Sequence, residues 1–460
     1  MGSTLLALAV LIPWTLAAAL ALADGRRPSV GWISVGGLGA GFACVLGLTF
    51  LVLRDGPVEM VAGGWPEGVG ITLRADALGV AFAAVSVGVI LVSLVYEVLD
   101  GVRSRTFPAL VAFMAAGLSG LFLTGDAFNF YVFFEISMTS AYALTGYREK
   151  DFQVRAAFIF AVINLLGSVI FLIGVAALYH VTGTLDMETM AERAGRVQPS
   201  SIISIAVAVF VAFSLKLGLF PFHFWLPAVY VGSHPPVAAI LSGALANIGG
   251  YGLLRFGADV LPRELELGTA AVLILGTASI VYGALQAISR RETAEVLAYS
   301  AIGQAGYILV ALGIGGPVGY TAAVVYAVVN SLNKALLFLA AGARGPLVGA
   351  AFAVGAFSVV GVPPAAGFVG KLAMFRASVE AGSVALTALI FVGGALSFVY
   401  AFQIYQRVFW TPGRKGEKAS PPSVRALILL LAGLVLAAGL WPEPLLALGE
   451  AAAGVLVSGP

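Results

Sequence analysis

Runs of about 20 apolar residues, each closed by a short polar loop, follow one another along nearly the whole chain. A run of that length is what an α-helix needs to cross a hydrocarbon core about 30 Å thick. No water is available there to satisfy a peptide group, and a helix satisfies its own. The expected fold class is therefore all-α, a polytopic membrane protein. Spans are placed near 3–23, 31–53, 76–98, 107–124, 126–146, 156–179, 202–230, 235–257, 268–289, 295–314, 317–341, 348–380, 385–410 and 424–441. That makes about 14 transmembrane helices, two of them long and discontinuous at 202–230 and 348–380. Charged residues are 10% of the chain against about 25% in a soluble domain, which leaves too few to solvate a globular surface.

The two proline breaks lie five crossings apart, so two five-helix units are expected, inverted relative to each other, at 107–257 and 268–410. They sit in a single integral membrane domain, 1–460, with N-terminal helices in 1–106 and a C-terminal helix and tail in 424–460. Interrupted segments in corresponding halves point to a transporter site built from repeats. The opening run has no basic n-region and is expected to be the first transmembrane helix. The tail from Pro444 to Val457 is too short to span and is expected to lie along the interface or fray.

Basic residues set the orientation. Placing the first loop inside a cell membrane puts Arg26, Arg27, Arg103, Arg105, Arg148, Arg290, Arg291, Arg414, Lys415 and Lys418 inside, while acids such as Glu59, Glu67, Asp186 and Glu188 lie opposite. Both termini then face outside. Residues 180–200 read as a short amphipathic surface helix. Cys44 is the only cysteine, which excludes an internal disulfide, a cysteine zinc site and an iron–sulfur cluster. His180, His223 and His234 are too scattered for a metal cluster, and no Walker sequence or basic nucleic-acid patch is present. No cofactor, metal or nucleic acid is expected.

Against this apolar background Glu135, Lys216, Lys334 and Lys371 lie inside spans. An ionised group near the bilayer centre costs about 2.5–3.5 kcal/mol even on lenient scales, so a chain that keeps several is expected to use them. Lys216 precedes the break made by Pro221 and Pro227, and Lys371 follows the break at Pro363 and Pro364. Broken backbone at membrane depth must be buried or line a water-filled cavity. The functional reading is a proton relay, in which Glu135 partners Lys216; the bland reading is a static ion pair beside two kinked helices. His223, Asn247, Gln304 and Asn330 are candidates to support the relay by holding water, or else simply bond neighbouring helices. Asp126 is expected to cap a helix, and His234 to lie in an inner loop.

The stretches LTGDAFNFYVFFEISMTSAYAL, KLGLFPFHFWLP, VLAYSAIGQAGYILVALGIG, NKALLFLAAG and GVPPAAGFVGKL occur in that order. They resemble the antiporter-like subunit family shared by respiratory complex I, membrane-bound hydrogenases and Mrp-type cation/proton antiporters, most of all the D-type subunits of the Mrp branch. The resemblance covers roughly 75–460. It implies fourteen helices with two inverted units, Glu135 and Lys216 as the pair gating proton movement, and Lys334 and Lys371 continuing a hydrophilic axis toward a neighbouring subunit. The chain departs from the family pattern at Asn247, where a lysine is usual, at Asn330, often histidine, and at Ala228, often aspartate. The implied function is the proton-translocating subunit of a multi-subunit Na+/proton antiporter, its partners other membrane subunits, protons, Na+ and the lipid bilayer. The alternatives are the pumping membrane subunit of an NADH:quinone oxidoreductase or a membrane-bound hydrogenase, and a non-conducting structural subunit.

Overall fold

A computed structural model of the chain describes residues 1–65, 70–410 and 419–457. Glu67, Arg414, Lys415 and Lys418, used above to set the orientation, lie outside the described residues. The helices are α1 (Gly2–Ala21), α2 (Pro28–Asp55), α3 (Ala77–Asp100), α4 (Phe107–Phe122), α5 (Ala127–Thr145), α6 (Asp151–Thr182), α7 (Met187–Ala194), α8 (Pro199–Leu217), α9 (Leu226–Gly232) and α10 (Pro235–Ile240). They continue with α11 (Asn247–Gly252), α12 (Pro262–Ser289), α13 (Thr293–Ile314), α14 (Gly316–Ala341), α15 (Pro346–Val360), α16 (Ala366–Glu380), α17 (Val384–Tyr405), α18 (Pro422–Leu440) and α19 (Glu443–Val457). Among the described residues, 11 helices are long and apolar enough to cross a membrane, and Phe107–Phe122 and Leu347–Val360 are shorter apolar helices.

Local chemistry sets many helix ends. Asp76, Asp126 and Asp186 cap α3, α5 and α7 by accepting from Gly79, Asn129 and Thr189 N–H groups at 2.8, 2.6 and 2.9 Å. The expected cap at Asp126 and the short helix within 180–200 are both present. α10 and α11 are one continuous helix from Pro235 to Val260 with π-helical stretches at Leu241–Leu245 and Leu253–Val260. The widened turns appear as bonds from Ala246 N to Leu241 O (3.1 Å) and Leu261 N to Phe256 O (3.0 Å). This helix is buried almost throughout, as are most of α3, α13 and α14, so these four form the centre of the bundle. The apolar side chains of α6 and α17, such as Phe158, Leu166 and Phe391, are exposed, as suits contact with lipid.

Both discontinuous helices are present. α8 stops at Gly218, φ +70°, before α9; α15 stops at Gly361, φ +90°, before α16. One expectation is narrowed and one element is new. The tail does not fray: α19 docks on α14 with Gly449 against Val325 and Thr321, and Ala452, Ala453 and Leu456 are buried. Its small residues allow that close approach. The segment before α3 also holds an antiparallel hairpin, β1 (Val58–Val61) on β2 (Thr72–Ala75), in the register Val58–Ala75 to Val61–Thr72.

The second break depends on one glycine. The Gly367 N–H donates to Ser358 Oγ at 2.8 Å, and a Cβ on Gly367 would overlap the Ser358 carbonyl oxygen. Gly367→Ala is expected to lower the thermal stability of the purified protein by about 1–3 kcal/mol. Gly268→Ala, where a Cβ meets nothing, should change it by less than about 1 kcal/mol and serves as control.

Candidate functional site

Lys216 occupies the last turn of α8, where the helix dipole and free carbonyls favour a cation. Trp225, after the break, folds back and donates to Leu215 O at 3.0 Å, so it is a packing residue that closes the interruption. The Lys216 ammonium is buried and donates to Asn164 O (3.0 Å) and Ser168 Oγ (3.2 Å) of α6. It also stands 4.1 Å from the centre of the Phe134 ring. Glu135, the next residue on α5, is half-buried and makes no ion pair among the described residues. Its Oε1 is buried without a hydrogen-bond partner. In this structure the two expected partners are neighbours not in contact, with the Phe134 ring against the ammonium.

Lys334, on α14, is fully buried and donates to Ser300 Oγ (3.0 Å) and Leu297 O (3.4 Å) of α13. A chain of side-chain hydrogen bonds starts there. Ser300 Oγ is 2.9 Å from the Tyr400 hydroxyl, the Gln304 amide donates to that hydroxyl at 3.3 Å, and the Tyr326 hydroxyl donates to Gln304 Oε1. The Tyr326 ring then lies 5.1 Å from that of Tyr307, whose hydroxyl accepts from Lys371 Nζ at 3.0 Å. Gln304 joins Tyr400 of α17 to Tyr326 of α14, between Lys334 and the neighbourhood of Lys371. The space around Ser300, Gln304 and Tyr400 is closed, so these side chains meet by direct bonds.

Between Lys216 and Lys334 lies Asn247. Its amide donates to Ser86 Oγ (3.0 Å) and Gly243 O (3.2 Å), and its Oδ1 accepts from Ser331 Oγ (3.1 Å), one turn from Lys334 on α14. A cavity of about 10 Å³ is lined by Lys216, Asn164, Trp225, Tyr230 and Ala246, the residue before Asn247. That is close to the least space one water needs. His223 and Asn330 stand apart from these networks among the described residues. His223 packs on Phe220 and on Tyr282, the latter ring centre 4.5 Å away, with Nδ1 unpartnered; Asn330 Oδ1 is likewise buried and unpartnered.

Sequence reasoning missed the hydroxyl groups. Ser300, Gln304 and Tyr307 follow i, i+4, i+7 spacing on one face of α13, a polar stripe that could have found them. It also missed a buried ion pair at the far end of α3. Arg255 donates to Asp76 at 2.6 Å and to Asp259 at 2.8 Å, with Tyr251 at 3.2 Å. Arg74, on the hairpin outside the spans, faces the same cavity of about 390 Å³. Burial would lower its affinity for the proton, but Asp76, Glu188 and Glu59 more than offset this, and its pKa is raised.

The family model for the transmembrane region of NADH:quinone oxidoreductase and Mrp antiporter subunits matches residues 124–397. The D-type subunit of a Na(+)/H(+) antiporter from Alkalihalophilus pseudofirmus is 30% identical over 406 residues, covering 84% of this chain and 82% of that protein. The N-type subunit of an NADH-quinone oxidoreductase from Desulforudis audaxviator is 31% identical over 443 residues, covering 89% and 85%. A chain in the structure of the Mrp complex from Dietzia aligns with a TM-score of 0.89 at 26% identity, covering 99% of this chain and 98% of that one.

Proposed function

The chain belongs to the transmembrane family of NADH:quinone oxidoreductase and Mrp antiporter subunits, and from that premise we propose that it is the proton-translocating subunit of a multi-subunit Na+/proton antiporter. The observation that carries this reading is the set of side-chain bonds from Lys334 through Ser300 and Tyr400 to Gln304 and Tyr326, with a second bonded pair, Lys371 and Tyr307, stacked beside it. A hydroxyl both donates and accepts, so Ser300 and Tyr400 can pass on a proton from Lys334, while the Gln304 amide holds the Tyr400 and Tyr326 hydroxyls in line. Glu135 and Lys216 act as the loading pair: they close to load a proton on Lys216 and part as the ammonium turns toward the water-sized cavity beside Asn247. A membrane potential of 100 mV contributes about 2.3 kcal/mol per charge moved, enough to drive exchange. The fold reading that goes with this is fourteen crossings in a cell membrane, two inverted five-helix units at 107–257 and 268–410, and both termini outside. The paired breaks, one after Lys216 and one before Lys371, support it.

The identity to a subunit named for NADH-quinone oxidoreductase supports a second reading, the pumping membrane subunit of a redox complex. Isolation in mild detergent separates the two: small hydrophobic antiporter subunits co-isolate under the first, iron–sulfur proteins under the second. The direct test is sodium-driven proton flux in vesicles carrying the complex. The native chain should conduct, and Asn247→Lys should slow flux about a hundredfold, because a cation there costs about 2.5–3.5 kcal/mol and breaks the amide bonds to Ser86 and Ser331. A complex that conducts only after Asn247→Lys would make the native chain a structural subunit.

A further inference from the structure

One buried carboxylate takes no part in the lysine axis. Glu97, in the last turn of α3, is fully buried, yet only Oε1 is held, by the Tyr147 hydroxyl, with Arg148 Nη2 at 4.0 Å and beyond hydrogen-bond reach. Its Oε2 has no hydrogen-bond partner. Facing it at 3.2 Å is His234 Nδ1, which also has none. A buried acceptor left unsatisfied is costly, and more so when charged. One proton between the two atoms satisfies both. Among the described residues, the charged and titratable groups acting on Glu97 and its neighbours Tyr96 and Tyr147 include Asp100 on α3, Arg148 after α5 and Arg344 after α14.

The pair also spans two environments. The His234 side chain is 13% exposed, and the Glu97 side chain is at 0%. His234 is the N-cap of the helix that carries Asn247, and Tyr230, four residues earlier, lines the cavity at Lys216. The C-terminal end of α14, the helix of Lys334, closes on the same place, with Gly342 packed against Pro235.

We propose that Glu97 and His234 form a proton-uptake site separate from the lysine axis, His234 taking a proton from water and sharing it through Nδ1 with the Glu97 carboxylate. No other bond changes in this step: water gives up a proton, and the pair holds it. The use of that proton in transport rests on the relay reading above; its binding does not.

Because the chain has three histidines, His180, His223 and His234, nitrogen NMR of the intact complex with this subunit alone histidine-labelled resolves the site, with His234→Gln as the assignment. The expected result is a proton on His234 Nδ1 with a hydrogen-bonded shift that is lost in Glu97→Gln and kept in Tyr147→Phe and Lys216→Met. An Nδ1 that carries no proton, or one unchanged by Glu97→Gln while Tyr147→Phe is folded, overturns the site. Flux then tests uptake: His234→Gln should slow sodium-driven proton flux about tenfold. A normal rate with the NMR signature intact in the native chain overturns uptake and leaves the relay reading standing.

Discussion

Replacing Lys216 with methionine is expected to abolish sodium-driven proton flux while leaving the subunit folded and assembled. Methionine keeps most of the side chain's length and removes the charge. The groups left behind are not stranded: Ser168 Oγ already donates to Asn164 O at 3.0 Å within α6, and the Phe134 ring loses only a cation above its face. Removing a buried ammonium also removes the cost of keeping it out of water. Stability should therefore hold, and thermal unfolding in detergent checks that it does. Transport is another matter, because without Lys216 the gap between Glu135 and the cavity beside Asn247 contains no group that can carry the proton. Stranding a charge there costs about 2.5–3.5 kcal/mol, or roughly a hundredfold in rate. Glu135→Gln should cost less, since Glu135 is half-buried and out of contact here, and the loading pair fails only at one of its two ends. Normal flux from an assembled Lys216→Met complex would refute the role given to this lysine.

The parts of this molecule that sequence could reveal are those where the membrane imposes a local rule. Apolar runs mark the helices because each must satisfy its own backbone, and the prolines after Lys216 and before Lys371 mark breaks that recur as α8/α9 and α15/α16. Lysines within such runs stand out because their burial is costly, and Lys216, Lys334 and Lys371 are indeed buried. Elsewhere the deciding contacts come from distant segments. Tyr307, Tyr326 and Tyr400 pass for ordinary apolar-run residues until α13, α14 and α17 bring their hydroxyls to Gln304 and Lys371. Glu97 and Asp76 sit at the two ends of α3, where nothing in the local sequence marks them as interior; the arrival of His234 and Arg255 does. Asn247, His223 and Asn330 look alike as lone polar residues, yet only Asn247 joins a network, since spacing along one helix does not say which neighbour a side chain meets. The hairpin is hidden for a related reason: four-residue strands carry too little alternation to register against the long apolar runs.

The largest effect on stability is expected at the other end of α3. Arg255→Met should destabilise the purified protein by about 3 kcal/mol, because it leaves the Asp76 carboxylate, 2% exposed, without the guanidinium 2.6 Å away. Two features keep the loss from being larger. Asp76 still caps α3 through Gly79 N–H, and Arg74 remains at 3.8 Å. Arg255→Lys should recover only part of it, since the fork that reaches both Asp76 and Asp259 becomes a single ammonium. Asp76→Asn with Arg255→Met should lie closer to the native protein than Arg255→Met alone: with the acid neutralised, no buried charge is left unpaired, and asparagine can still cap the helix. Thermal unfolding of the native protein, Asp76→Asn, Arg255→Met and the double variant in one detergent gives the cycle. A double variant as unstable as the sum of its single changes would mean that Asp76 and Arg255 act independently, and that the junction of hairpin, α3 and the long central helix is held by packing instead.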